Sequence, residues 1–259
     1  MKINTYFKKT FNVIVALLMV LTMTFGTGIP SFAASKKKTV YVISSITVKT
    51  TNNYNKKTTK DTYTFKYNKN GLIKKVNMKS SDKSAENVYY AKYTYKGKKI
   101  TKAYIQQGDG APSKYKYSWK KGKITKADDK ANYMSFTYNY ENGRISEYRA
   151  SASYTVSLKY DEQGRLIRNG KSVYEYDSNG FIAQNKEYST SFTYTNTVKS
   201  GRVTKIKMKS NYNSGTITIK YKKLKVPSDY KKLVDKQKNY MLLTHCYKVS
   251  TYSIPLGSL

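Results

Sequence analysis

Seven times along the chain a glycine turn closes a short run of alternating aromatic residues. The copies are TFKYNKNGLI (Thr64 to Ile73), KYTYKGKKI (Lys92 to Ile100), KYSWKKGKI (Lys116 to Ile124), TYNYENGRI (Thr137 to Ile145), LKYDEQGRL (Leu158 to Leu166), YEYDSNGFI (Tyr174 to Ile182) and the looser SFTYTNTVKSGRV (Ser191 to Val203). No other feature constrains the fold as tightly. From Gly71 through Gly97, Gly122, Gly143, Gly164, Gly180 and Gly201 the spacings are 26, 25, 21, 21, 16 and 21 residues, which is the range of small supersecondary repeats. Before each turn large side chains alternate with polar ones, as in Tyr63, Phe65, Tyr67 or Phe136, Tyr138, Tyr140. A period of two means strand, and turns such as ENG and SNG supply residues that tolerate positive φ. Each copy therefore reads as a β-hairpin.

Beyond each glycine the spacing changes to three: Ile73 and Val76, Ile100 and Ala103, Ile124 and Ala127, Ile145 and Tyr148, Val203 and Ile206. A flat pleat would send the members of each pair to opposite faces. One β-bulge per return strand absorbs the extra residue and returns both to the tyrosine side. The expected fold is all-β, an antiparallel meander of about fifteen or sixteen strands forming a curved or spiralling sheet. It runs from TVYVISSITVKT (Thr39 to Thr50) to TITIKYKK (Thr216 to Lys223).

Tyr160-Asp161-Glu162-Gln163-Gly164-Arg165-Leu166 has the form Y-D-x-x-G-R-L, Tyr176 to Ile182 is similar, and Tyr140 to Ile145 is one residue shorter in its turn. These copies resemble the tyrosine-aspartate (YD) repeat of the Rhs-type bacterial proteins, over roughly Tyr63 to Val203. The resemblance implies a string of hairpins in a curved or spiralling sheet, and it does not by itself carry over a toxin-delivery role. A weaker similarity links the copies to Gram-positive cell-wall-binding repeats, which also pair aromatics with a glycine turn. Those use tryptophan cages, and Trp119 is the single tryptophan here.

The chain's ends and its charge bear on where it works. Residues 1–33 run from Lys2, Lys8 and Lys9 through an apolar stretch, Phe11 to Phe25, to the small-residue ending at Ser31 to Ala34. That order reads as a secretory signal peptide rather than a membrane anchor. The expected organisation is signal peptide 1–33, hairpin-repeat domain 34–223, and a C-terminal cap 224–259. In the cap, VPSDYKKLVDKQKNYMLL carries a helix start and helical spacing, followed by a strand around Tyr247 to Ile254. Its expected role is to cover the last open sheet edge. The whole chain has 49 Lys plus Arg against 15 Asp plus Glu; removing residues 1–33 leaves +31 on 226 residues. This imbalance exceeds what solubility needs and points to a polyanion.

Catalytic and metal-binding groups are sparse. His245 and Cys246 are the sole His and Cys; being adjacent, they point apart in a strand and diverge in a helix, a poor geometry for a Cys–His couple. Asp128-Asp129, Asp161-Glu162 and Glu175/Asp177 lie in or beside predicted turns, where Asp bonds its own backbone. The expectation is a secreted non-enzymatic binding or scaffold protein, free or wall-associated, with no cofactor and no metal. Its expected partner is an anionic cell-wall polymer or another extracellular polyanion, with nucleic acid bound only non-specifically. Lys66, Lys114, Lys116 and Lys159, on the face opposite the tyrosines, are the expected polyanion contacts. Tyr138, Tyr160, Tyr176 and Trp119 form either core or an aromatic surface for carbohydrate. The rival reading is a carbohydrate-binding or carbohydrate-active protein that uses the tyrosine face.

Overall fold

The computed structural model describes residues 37–83, 89–151, 154–187 and 190–233. The expected signal peptide, most of the expected C-terminal helix, the strand around Tyr247, and His245 and Cys246 lie outside the described residues.

Sixteen strands follow one another: β1 (Lys37–Asn52), β2 (Thr58–Tyr67), β3 (Ile73–Ser80), β4 (Tyr89–Lys96), β5 (Lys99–Gln107), β6 (Ser113–Lys120), β7 (Lys123–Asp129) and β8 (Met134–Glu141). Then come β9 (Arg144–Ser151), β10 (Tyr154–Tyr160), β11 (Leu166–Asn169), β12 (Ser172–Tyr176), β13 (Ile182–Glu187), β14 (Thr190–Lys199), β15 (Arg202–Lys209) and β16 (Asn213–Pro227). Each pairs with its sequence neighbours, and β1 joins β16 to close the sheet into a barrel. The expected meander is present, and closure settles its curvature. A closed barrel has no open edge, so the segment after β16 has no edge to cover among these strands. β16 also runs past residue 223, the expected end of the repeat domain. Val226 and Tyr230 instead pack with Val42 in a small second apolar cluster. Tyr230 and Val226 press so closely on the turn glycine Gly71 that a Cβ there would lie 2.6 Å from each.

The bulges fall where the three-residue spacing places them. In the β2–β3 hairpin Lys66 faces Lys75 while Tyr67 faces Ile73, leaving Lys74 over on the return strand. The same shift recurs at Thr94/Tyr95, Ser118/Trp119, Asn139/Tyr140, Lys159/Tyr160, Glu175/Tyr176 and Thr197/Val198. Both members of every spaced pair consequently point inward: Ile73 and Val76, Ile100 and Ala103, Ile124 and Ala127, Ile145 and Tyr148, Val203 and Ile206 are all buried. With Tyr63, Tyr93, Tyr115, Tyr117, Tyr138 and Tyr194 they form one continuous core. Closure thus covers the inner face that a single open layer would leave exposed.

Candidate functional site

The repeat tyrosine has a structural task that runs around the barrel. Its hydroxyl donates to the carbonyl of the inward residue that begins the preceding return strand. Tyr95 bonds Ile73 O, Tyr140 bonds Ile124 O, Tyr160 bonds Ile145 O and Tyr176 bonds Leu166 O, at 2.7, 2.7, 3.0 and 2.7 Å. Tyr221 does the same to Val203 O, and Tyr67 makes the equivalent bond to Ile43 O within β1, the strand before its hairpin. Trp119, at the tyrosine position of its hairpin, keeps the donor, its Nε1 bonding Ile100 O at 2.8 Å. In the β14–β15 hairpin Val198 holds that position, and Asn196, two residues earlier, supplies the bond through Nδ2 to Ile182 O at 3.1 Å. These bonds tie each hairpin to the one before it, and each contributes on the order of 1 kcal/mol.

The cation that follows the turn glycine covers the tyrosine of the next hairpin. Lys123 lies over Tyr140, Arg144 over Tyr160, Arg165 over Tyr176 and Arg202 over Tyr221, with centroid distances of 5.2, 5.5, 4.5 and 5.8 Å. Arg144 reaches Tyr160 by crossing Gly164, where a Cβ would collide with its guanidinium. Burial pushes the Tyr140, Tyr160 and Tyr176 hydroxyls up to about 12, so they stay protonated donors. The aspartate of the motif closes its own turn. Asp161 accepts from the Arg165 amide at 2.7 Å and from Arg165 Nε at 2.6 Å, and Asp177 accepts from the Asn179 and Phe181 amides. Burial opposes ionisation of Asp161, but these Arg165 contacts outweigh it and hold the carboxyl below its ordinary value.

The four expected aromatic contacts are therefore already engaged. Tyr138 is buried in the core, and it aligns with Leu158 and Tyr174 rather than with Tyr160 and Tyr176, because Tyr140 holds the motif position. Tyr160, Tyr176 and Trp119 are half-buried, each with its polar atom on a backbone carbonyl and its ring under a cation.

The lysines divide differently. Along β14, β15, β16 and β1 through β6, a continuous arc across the closure, the strands carry twenty-four Lys or Arg and a single acid, Asp61. Along β7 through β13 they carry seven cations and six acids. Of the described ion pairs, Lys126–Asp128, Arg149–Glu147, Arg165–Asp161 and Lys186–Glu175 belong to the second arc and its turns. The other two, Lys57–Asp82 and Lys98–Asp229, sit outside the strands. Lys66, Lys114 and Lys116 lie on the basic arc, all exposed. Lys159 lies on the balanced one, opposite Arg168.

On the basic arc the register builds a row that sequence reading alone did not reach. Lys66 faces Lys75, Lys75 faces Lys92, Lys92 faces Tyr104 and Tyr104 faces Lys114. A second row sets Thr94 against Lys102 and Lys102 against Lys116. Between them opens a groove of ≈ 870 Å³ on the outer face of β4, β5 and β6, lined by Lys92, Lys102, Lys114, Lys116, Tyr90 and Tyr104 among others. The acids next to it are occupied. Asp128, opposite Lys116, accepts from Lys126 and from Ser135, which lower its pKa. Asp129 is buried, which alone would raise its pKa, but bonds from Asn132 and the Lys114 and Ala131 amides bring it down instead. Among the described residues no group of His, Cys, Asp or Glu is arranged to hold a metal ion.

Among solved structures the barrel is similar to a porin-like protein from Bacteroides uniformis, with 15% identity and a TM-score of 0.47 over 70% of this chain and 98% of that one. It is also similar to TcdB2-TccC3-Cdc42, with 14% identity and a TM-score of 0.31 over 62% of this chain and 10% of that one. The chain thus spans about a tenth of the length of that second structure. No curated protein matches. The Teneurin YD-shell family model matches residues 35–242, a span that contains every hairpin of the tyrosine ladder, and the chain belongs to that YD-repeat family.

Proposed function

We propose that the protein is a secreted, non-enzymatic scaffold whose basic arc holds an anionic envelope polymer. The observation that carries this reading is the partition of charge. Positive side chains crowd nine adjacent strands with one acid among them, while the seven remaining strands are nearly neutral. Solubility alone asks for mixed signs, and like charges facing each other across a ladder cost stability. A surface that keeps such pairs is compensated when an anion lies on it. Lipid is a poorer partner for this exterior. Outward positions carry residues such as Lys92, Thr94, Lys116, Thr137 and Asn139, whereas a barrel that crosses lipid needs an apolar outer band. No described helix is long and apolar enough to cross a membrane. The basic, apolar and small-residue order of residues 1–33 supports export.

Retention on isolated Gram-positive cell wall, measured across a salt series, tests the reading. The expected result is steep loss of binding as salt rises, since released counterions drive the association, and little binding to wall stripped of its phosphate polymer. Binding that ignores salt and is competed by a neutral sugar overturns it.

A further inference from the structure

We propose that the groove over β4, β5 and β6 seats a phosphodiester-linked polyol or sugar chain lying across the strands; this deepens the polyanion reading and rests on it. Three observations converge there.

The first is electrostatic. Lys66–Lys75 and Lys75–Lys92 face each other across strands in one row, and Lys102–Lys116 in the next. None of these lysines takes part in a described ion pair. Neighbouring strands lie about 4.8 Å apart, and residues two apart on one strand about 7 Å. Lys92, Lys102, Lys114 and Lys116 line the groove, with Lys75 and Lys66 continuing one row beyond it, so the site offers a grid of ammonium groups on flexible stems, extended in the cross-strand direction. A line of phosphates matches such a grid, and a single anion does not use its length.

The second is the state of the aromatics. Tyr90 and Tyr104 meet edge to face, with centroids 5.8 Å apart and planes at 74°, and Lys75 Nζ sits 4.8 Å from the centre of the Tyr90 ring. These contacts take up ring-face area that base stacking requires. Both tyrosines line the groove, where phenol hydroxyls and ring carbons suit hydroxylated carbon chains.

The third is Gln106 on the groove wall. Its amide nitrogen is held by Gly108 O and Gly110 O at 2.8 and 2.7 Å, so it presents a ligand with an acceptor oxygen. An acceptor suits a hydroxyl and repels a phosphate. The groove thus mixes phosphate-seeking and hydroxyl-seeking groups, as a polyol phosphate requires.

The test compares three probes of matched charge on the full chain: poly(glycerol phosphate), inorganic polyphosphate, which has no hydroxyls, and single-stranded DNA. The wild-type protein binds poly(glycerol phosphate) most tightly. The groove variant Lys92→Gln/Lys102→Gln/Lys116→Gln loses at least about tenfold in affinity and lowers the log–log salt slope by about 2, as expected for three lost phosphate contacts. A control variant of equal charge on the same arc, Lys205→Gln/Lys207→Gln/Lys209→Gln, loses much less. Tyr104→Leu narrows the preference for poly(glycerol phosphate) over polyphosphate. Circular dichroism confirms that the exposed-site variants keep the wild-type fold. Equal loss in the groove and control variants overturns the groove while leaving polyanion binding intact. Equal affinity for polyphosphate, or tighter binding of single-stranded DNA, overturns the ligand class. Salt-insensitive binding, or none to any probe, overturns the polyanion reading beneath it.

Discussion

The basic arc, β14 through β16 and β1 through β6, and the balanced arc, β7 through β13, are built on the same inner face and differ on the outer one. Ile73 and Val76 on one side, Ile145 and Tyr148 on the other, are buried alike. Tyr95 and Tyr160 donate alike to the carbonyl of the preceding hairpin. Outside, one arc carries facing lysines, and the other carries pairs such as Lys186–Glu175 at 2.8 Å and Arg149–Glu147 at 2.7 Å. In a strand the two faces are chemically independent because successive side chains alternate. A repeat can therefore conserve its inward pattern as architecture while its outward pattern diverges. The asymmetry belongs to surface chemistry and is not a requirement of the barrel.

The largest expected effect concerns what the arcs share. Ile100→Ala in the basic arc and Ile145→Ala in the balanced arc each remove a fully buried side chain. Each should cost about 2–5 kcal/mol in urea unfolding. Costs that differ widely between the two would break the claim of one common core.

Acid should next separate the arcs. Asp128, Asp129 and Asp161 have folded-state pKa values below the ordinary carboxylate value. Their contribution is present at neutral pH and is lost as pH falls below about 4 and through those values. Amide exchange followed down the pH scale should show β6 through β11, β6 included because its Lys114 amide donates to Asp129, losing protection before β3 and β4. Simultaneous loss would mean that the carboxylates do not stabilise their arc.

The ladder bond itself is a smaller term. Tyr160→Phe keeps the ring and removes the donor, leaving Ile145 O without that 3.0 Å bond, and should cost about 1 kcal/mol in thermal or urea unfolding. Tyr95→Phe should cost a similar amount, since the same bond operates in the basic arc.

The smallest change in stability is the most informative. Lys102→Glu places opposite charges across from each other at Lys116 and should raise stability by about 0.2–1 kcal/mol, while weakening polymer binding. A variant that gains stability and loses affinity would mark the lysine pair as kept for binding. Loss of both would assign it to the fold.

Much of the fold was legible because a hairpin is a local object. The alternation of Tyr63, Phe65 and Tyr67, the glycine turn and the three-residue spacing of Ile73 and Val76 lie within fourteen consecutive residues, so strands, turns and bulges follow from neighbours in the chain. Asp161 closing its own turn was equally readable. The placement of cations over tyrosines had a visible signal, the repeated Gly-Arg or Gly-Lys at Gly122-Lys123, Gly143-Arg144, Gly164-Arg165 and Gly201-Arg202. Its meaning required knowing that the next hairpin packs beside that side chain.

The sequence by itself determined the all-β class, the repeat, the bulges and the inward set of tyrosines and isoleucines, because each depends on spacings of a few residues. The tertiary structure decided closure, and with it everything that depends on distant strands meeting. Only pairing of β1 with β16 makes the basic strands at the two ends of the chain one continuous arc. Only the registers between hairpins bring Lys66, Lys75, Lys92 and Lys114 into one row, while leaving Lys159 opposite Arg168 in the other arc. Register is a property of two strands together, and shifting it by one residue would exchange every face. No spacing within one strand encodes which lysine its neighbour will present.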